Sequence, residues 1–183
     1  MTGALGPVII GVGANLPSDR HGTPLQTCGA ALDRLDAMAD VTVTGCSLWY
    51  ESAPVPISDQ PWYVNGAARL ETGLSPSDLL IRLLAVEADF GRARAEKNAP
   101  RTLDLDLLAY GDTAINGNIQ VPHPRLQDRA FALLPLRDLV PDWRHPVLGR
   151  TVADMAADLP AAETAPDRIR ALPAASGRRK ITI

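Results

Sequence analysis

Two aspartates, Asp104 and Asp106, stand two residues apart in the segment RTLDLDLL at positions 101–108. If this segment forms a strand, both carboxylates point to one face and the intervening leucines point to the other. Two like charges that face one small volume need a partner, such as an arginine or a hard divalent cation. Magnesium held by two carboxylates commonly binds substrate phosphates as well. The pair therefore predicts a magnesium site and phosphoryl chemistry, although two solvated aspartates at a sheet edge would give the same pattern.

Cationic side chains flank the aspartate pair on both sides in the sequence. Each arginine alone is as consistent with a solvated surface charge as with function. As a group they suit a phosphoryl group, whose oxygens gain charge during transfer. The segment 92–100 is a polar loop that leads directly into the aspartate strand, and its charge indicates an anion clamp. The cationic set comprises Arg92, Arg94, Arg101, His123, Arg125 and Arg129.

A second set of side chains could bind a flat ligand. Tyr63 and Asn65 share one face of a predicted strand, and Phe131 supplies a second ring. Two rings and an amide that both donates and accepts suit a heteroaromatic ring system. Core packing of isolated aromatic residues is the alternative explanation.

The rest of the chain predicts the elements that must position these groups. Val8–Gly13 is rich in β-formers, and Thr23 followed by Pro24 is typical of a helix start. The predicted order is strand, helix, strand, strand, helix, strand, which indicates an α+β fold of the ferredoxin-like βαββαβ type, a mainly antiparallel sheet with helices packed on one face. The predicted elements are strand 8–13, helix 24–38, strand 41–50, strand 63–71, helix 76–90, the aspartate strand 103–108 and a third helix 128–139, interrupted or started late by Pro135.

Length and composition restrict the class of protein. The 183 residues carry a net charge of −3, which argues against a nucleic-acid or membrane surface. We expect one domain over residues 1–160 and an extended or disordered tail over residues 161–183. Without a membrane-spanning or signal-like segment, we expect a cytoplasmic monomer. Cys28 and Cys46 are expected to be reduced core thiols.

Four segments resemble one known family, the 6-hydroxymethyl-7,8-dihydropterin pyrophosphokinases of folate biosynthesis. The resemblance runs from about Val8 to Pro160, in order and with similar spacing, and RTLDLD is its most specific element. The four segments are GANL at 13–16, DQPWYVN at 59–65, KNAPRTLDLDLL at 97–108 and VPHPR at 121–125.

The resemblance implies transfer of the pyrophosphoryl group of ATP to the hydroxymethyl group of a reduced pterin, with release of AMP. Asp104 and Asp106 then match the ligands of two Mg²⁺ ions, and Arg92 and Arg101 match arginines that engage the phosphates. The positions matched to nucleotide binding are Glu87, Arg94, Arg101, Leu107, His123 and Arg129. Those matched to pterin binding are Ser52, Val55, Tyr63, Asn65 and Phe131. Leu84 and Pro124 depart from the family pattern, since family members carry Gln and Tyr there.

Two other functions remain open from the residues alone. The aspartate pair would also serve a two-metal phosphohydrolase or nuclease, although such sites usually recruit further carboxylates. A non-catalytic nucleotide-binding module would keep the arginines but would not need the carboxylate pair.

Overall fold

A six-stranded antiparallel sheet forms the centre of the computed structural model, which describes residues 6–91 and 100–173. Its strands are β1 (Val8–Ala14), β2 (Val41–Cys46), β3 (Tyr50–Ser52), β4 (Tyr63–Thr72), β5 (Asp104–Tyr110) and β8 (Ile169–Ala171). A separate hairpin pairs β6 (Ile115–Asn116) with β7 (Gln120–Val121). The helices are α1 (Pro24–Asp36), α2 (Pro76–Asp89), α3 (Ala130–Leu139), α4 (Val152–Ala157) and α5 (Ala161–Thr164), with a 3₁₀ turn at Leu126–Asp128.

The sheet topology confirms the predicted fold class. The strand order is β5-β1-β4-β3-β8, and β2 pairs with the far half of β4. In the chain order β1-α1-β2-β4-α2-β5, the antiparallel strand β4 lies between β1 and β2, and β5 joins the other edge of β1. This arrangement is the ferredoxin-like βαββαβ sandwich. No helix of the described residues is long and apolar enough to span a membrane.

Both long helices begin where cap chemistry predicts. The Thr23 side chain accepts a hydrogen bond from the backbone N–H of Gln26, whose side chain accepts one from Thr23 N–H, so that α1 begins with a complete capping box. The Ser75 side chain caps α2 by accepting a hydrogen bond from the backbone N–H of Asp78.

Helices cover both faces of the sheet, which corrects the expectation that they pack on one face. α1 and α2 pack with β1 residues such as Ile10 and Val12, whereas α3 and α4 pack with Ile9 on the opposite face. Ile9 and Ile10 are successive strand residues and both are fully buried. Such continuous burial requires a layer on each side of the strand.

The chain after residue 160 differs from the expected tail. Residues 161–171 contain α5 and β8, and β8 pairs with β3 through Tyr50–Ala171, Glu51–Arg170 and Ser52–Ile169. Apolar Ile169 is 5% exposed, because β8 joins the edge of the sheet at β3 and Ile169 packs with Tyr50 and Ala130. Residues 174–183 lie outside the described residues.

Two local expectations also need correction. The predicted strand 41–50 is divided after Cys46, and β2 and β3 pair with successive parts of β4. Cys28 is a buried thiol as expected, and burial raises its pKa to about 12. Cys46 is exposed, because it ends a strand at the rim of the sheet.

Candidate active site

One open cavity of about 290 Å³ lies where β1, β4 and β5 meet the loops beyond them. The structure brings most of the sequence-predicted site residues to this cavity, although they come from segments more than 70 residues apart. The predicted residues that line it are Ser52, Val55, Tyr63, Asn65, Arg101, Asp104, Asp106, His123, Arg125, Arg129 and Phe131. Their roles toward a ligand stay predictions.

The aspartate pair faces the cavity because β5 is a strand with the expected alternation. Asp104 and Asp106 line the cavity, and Leu105 and Leu107 are buried in the core on the opposite face. The neighbouring strand β1 places Gly13 beside Asp104 and Gly11 beside Asp106.

The glycines of β1 form the floor of the site. A Cβ atom on Gly13 would stand 3.0 Å from Asn65 Oδ1, and one on Gly11 would stand 3.3 Å from a Leu108 methyl carbon. Side chains at these two positions would crowd Leu108 and Asn65, which line the site with the aspartates. No expectation from the sequence assigned these glycines a role in the site.

Arg101 neutralises part of the carboxylate charge. Its Nη1 donates to Asp104 Oδ1 at 2.7 Å, and both side chains are about one quarter exposed. Partial burial acts to lower the pKa of Arg101, but Asp104, Tyr63 and Asp106 outweigh it and raise that pKa. Arg101 therefore carries a fixed positive charge at the cavity wall.

Asn15 links three segments around the site, a role that sequence reasoning missed. It is 1% exposed, and its Oδ1 accepts from the backbone N–H of Arg101 at 2.7 Å. Its Nδ2 donates to Pro61 O at 3.2 Å and to Gln60 Oε1 at 3.4 Å. The backbone N–H groups of Asn15 and Leu16 both donate to Arg101 O. A buried asparagine directly after a strand is the signal that could have identified it.

The two rings and the amide of the predicted flat-ligand site stand around the cavity. Asn65 Nδ2 donates to Ser52 Oγ at 2.8 Å, and Tyr63 OH donates to Gln60 Oε1 at 3.3 Å. Partial burial raises the pKa of the Tyr63 hydroxyl, so this group stays protonated. Phe131 lies under the Arg129 guanidinium, 5.2 Å from Cζ to the ring centre. Each polar group here is oriented by a neighbour.

His123 presents one ring nitrogen to the site. Its Nδ1 accepts from Arg125 N–H at 3.3 Å, which leaves Nε2 as the protonated nitrogen of the neutral ring. Burial lowers the pKa of His123, and the positive charges of Arg129 and Arg125 lower it further. A neutral imidazole can donate a hydrogen bond from Nε2 to an anion.

Two predicted nucleotide-binding residues do not reach the cavity. Glu87 is 1% exposed between α2 and β5, where its Oε1 accepts from Leu105 N–H at 2.7 Å. Leu107 is 5% exposed and packs in the same core layer. Both lie on the face of β5 opposite the aspartates, so they support the strand. Arg92 and Arg94 lie outside the described residues.

The donor set resembles that of a magnesium site completed by its substrate. Over residues 6–91 and 100–173, no group of three or more His, Cys, Asp and Glu side chains could hold a metal ion. Mg²⁺ is typically bound by one or two carboxylates together with waters and substrate phosphates. Asp104 and Asp106 on one strand face fit that pattern.

Fold and site together define a class of protein. It is a ferredoxin-like α+β domain in which paired carboxylates and cations lie beside a ring-lined pocket. Residues 9–141 match the model of the family described as 7,8-dihydro-6-hydroxymethylpterin-pyrophosphokinase (HPPK). The chain belongs to this family, as its resemblance in sequence had predicted.

Curated relatives carry the corresponding name. The chain is 41% identical over 148 residues to a 2-amino-4-hydroxy-6-hydroxymethyldihydropteridine pyrophosphokinase of Synechocystis, covering 80% of this chain and 73% of the relative. It is 40% identical over 154 residues to the protein of that name from Pseudomonas aeruginosa, covering 84% and 91%.

Solved structures share the fold. A Plasmodium falciparum HPPK-DHPS crystal structure with pteroate superposes with a TM-score of 0.66 at 12% identity, covering 86% of this chain. This chain spans 45% of that longer chain. At this identity the likeness concerns the fold alone.

We predict that Asn15→Ala lowers the free energy of unfolding by about 1–3 kcal/mol, because it leaves the part-buried Arg101 N–H without its acceptor. Chemical denaturation would measure the change. The control is Asn118→Ala, at an exposed position in the β6–β7 turn, which should shift stability by less than about 0.5 kcal/mol. Equal effects of the two substitutions would contradict the linking role of Asn15.

We also predict that Arg129→Ala raises the pKa of His123 toward the ordinary 6.5, because it removes a positive charge that disfavours the imidazolium. NMR titration of the ring protons would follow this pKa. His145 provides an internal control, since burial alone lowers its pKa and the substitution should leave it unchanged. An unmoved His123 titration, or a parallel shift of both rings, would show that Arg129 does not act on His123.

Proposed function

We propose that this protein transfers the pyrophosphoryl group of ATP to 6-hydroxymethyl-7,8-dihydropterin, giving AMP and the pterin diphosphate, a step of folate biosynthesis. Family membership and the names of relatives about 40% identical support the reaction. The observation in the structure that carries the proposal is that the paired carboxylates and the ring-lined pocket open into one cavity. A phosphate chain and a flat acceptor could therefore meet there.

Asp104 and Asp106 would hold Mg²⁺, two ions in the proposed arrangement. The metal would neutralise phosphate charge and polarise the phosphoryl oxygens. Asp104 pairs with Arg101 in this structure. Its carboxylate would bind the metal either together with Arg101 or after the ion pair with Arg101 has broken. Arg101 would then be available to contact a phosphate oxygen.

The cationic side chains would supply the remaining charge. Arg101, Arg129 and His123 line the same cavity as the aspartates, so that an anion bound there could meet the positive charges of two arginines and a hydrogen-bond donor of His123. Groups fixed before the reaction stabilise developing charge without reorganising. Arg92 and Arg94, in the segment 92–99, are proposed as additional phosphate contacts on the resemblance alone.

The pterin would lie between Tyr63 and Phe131 with its polar edge toward Asn65. The Asn65 amide is already tied to Ser52, and the loop that carries Val55 closes the side of the pocket. In this arrangement no side chain needs to act as a strong base. The chain would act by holding the hydroxyl group, the β-phosphorus and the departing AMP in line.

Three further expectations belong with this proposal. We propose that the protein works as a monomer, in the cytoplasm, on small-molecule substrates only. The net charge of −3 agrees with the absence of a nucleic-acid partner.

The products formed from ATP test the reaction directly. With ATP, Mg²⁺ and the hydroxymethyl pterin, we expect AMP and pterin diphosphate in equal amounts, and AMP only when pterin is present. Chromatography of the nucleotides would measure both. Phosphate or ADP formed without pterin would instead support the phosphohydrolase, and absence of any turnover would support the non-catalytic module.

The metal role predicts that Asp104→Ala and Asp106→Ala each lower turnover by about 10³-fold or more, since metal stabilisation of phosphoryl charge is worth several kcal/mol. Stability should change by less than about 1 kcal/mol, because both carboxylates are partly exposed. Steady-state assays and thermal denaturation would measure these effects. Asp112→Ala, an exposed aspartate just beyond β5, is the matched control and should retain full turnover. Retained activity in either site variant would refute the metal role.

A further inference from the structure

The C-terminal strand β8 is attached directly to the segment that forms one side of the pocket. β3 ends at Ser52, and the register Ser52–Ile169 continues into a hydrogen bond from Ala53 N–H to Arg168 O of 2.8 Å. At the other end, Leu172 N–H donates to Trp49 O at 2.7 Å. β8 therefore holds the backbone on both sides of β3, up to the first residue of the loop 53–57.

The side chain of Arg170 reinforces this attachment. Its Nη2 and Nε donate to Glu51 Oε2 at 2.7 and 2.9 Å. Its guanidinium also lies 5.1 Å from the ring centre of Trp62, the residue directly before Tyr63. One side chain of β8 thus contacts β3 and the segment that leads into β4.

Ile169 connects β8 to a second wall of the pocket. It is buried together with Tyr50 and Ala130, and Phe131 packs against this cluster. Phe131 is one of the two rings proposed to hold the pterin. The backbone at β8 therefore restrains the start of the loop after Ser52, and the side chain of Ile169 supports the position of Phe131.

The loop 53–57 is buried at Pro54 and exposed over residues 55–57. A second cavity of about 210 Å³ lies between this loop, the start of α3 and the segment from Glu163 to Ile169. Val55 and Ile57 are 62% and 67% exposed. Because the outer part of the loop is exposed, the hydrogen bond from Ala53 N–H to Arg168 O, the residue directly before β8, anchors the loop at its first residue.

We propose that β8 is a positioning element of the pterin pocket, which fixes the loop after Ser52 and the ring of Phe131 through Ile169 and Arg170. This inference rests on the proposed function and goes beyond it, since β8 lies outside the residues 9–141 that match the family. It assigns to β8 an effect on pterin affinity and none on ATP affinity, because β8 pairs with β3, whereas Asp104 pairs with Gly13 of β1 and binds Arg101.

The experiment uses the full chain with Arg170→Ala, which removes the contacts to Glu51 and Trp62. Pterin affinity would be measured by fluorescence titration with Mg²⁺ and a non-hydrolysable ATP analogue, and ATP-analogue affinity separately. Exchange of the Ala53 amide proton would report the loop without any ligand. Leu172→Pro, which removes the bond to Trp49 O, is the second variant. Arg150→Ala, which breaks the exposed Arg150–Asp158 pair, is the matched control.

We expect Arg170→Ala to weaken pterin binding by about two- to fivefold, the range for a mostly exposed ion pair, with ATP-analogue affinity unchanged and faster exchange at Ala53. Arg170→Lys should restore part of the affinity, Leu172→Pro should act in the same direction, and Arg150→Ala should match the unsubstituted chain. Unchanged pterin affinity and unchanged Ala53 exchange in both β8 variants would overturn the inference, as would equal weakening of both ligands. If the unsubstituted chain bound no pterin, the proposed function would fail, while Ala53 exchange would still decide whether β8 holds the loop.

Discussion

The pairing register of β5 with β1 is the constraint on which the site depends. It places Asp104 beside Gly13 and Asp106 beside Gly11, while Leu105 and Leu107 enter the core under α1 and α2. A slip of one residue would turn both carboxylates into that core and both leucines into the cavity. Burying two uncompensated charges is far more costly than any contact the slip could gain. The same hydrophobic layer that stabilises the fold therefore fixes the direction of the acidic pair.

The groups around the aspartates are held by hydrogen bonds between loops. Asn15 ties the end of β1 to Arg101 and to the segment before Tyr63, and Ser52 orients Asn65 from β3. These hydrogen bonds restrict the orientations of the side chains, so the cavity is largely preformed without a ligand. This suits a reaction in which position and fixed charge do most of the catalytic work. Under the proposed function, the C-terminal strand would extend the same principle to the pterin side.

Local patterns in the sequence predicted the parts of the structure that depend on neighbouring residues. The alternation of side chains along a strand predicted that Asp104 and Asp106 share one face. The cap chemistry at Thr23 predicted the start of α1. Long-range packing lies beyond such patterns. Nothing near Glu87 indicates that its carboxylate caps Leu105 N–H inside the core, and the polar composition after residue 160 conceals that Ile169 completes a sheet edge. The resemblance supplied residue types at site positions, but only the three-dimensional packing separated cavity-lining residues from supporting ones.

The most direct test of this account is a crystal structure of the protein with Mn²⁺ in place of Mg²⁺, a non-hydrolysable ATP analogue and the hydroxymethyl pterin. Anomalous scattering would locate the metal independently of the ligands. The account predicts metal bound by the carboxylates of Asp104 and Asp106, phosphates beside Arg101, and the pterin ring between Tyr63 and Phe131. Metal bound elsewhere, with the aspartates in contact only with protein groups, would contradict it.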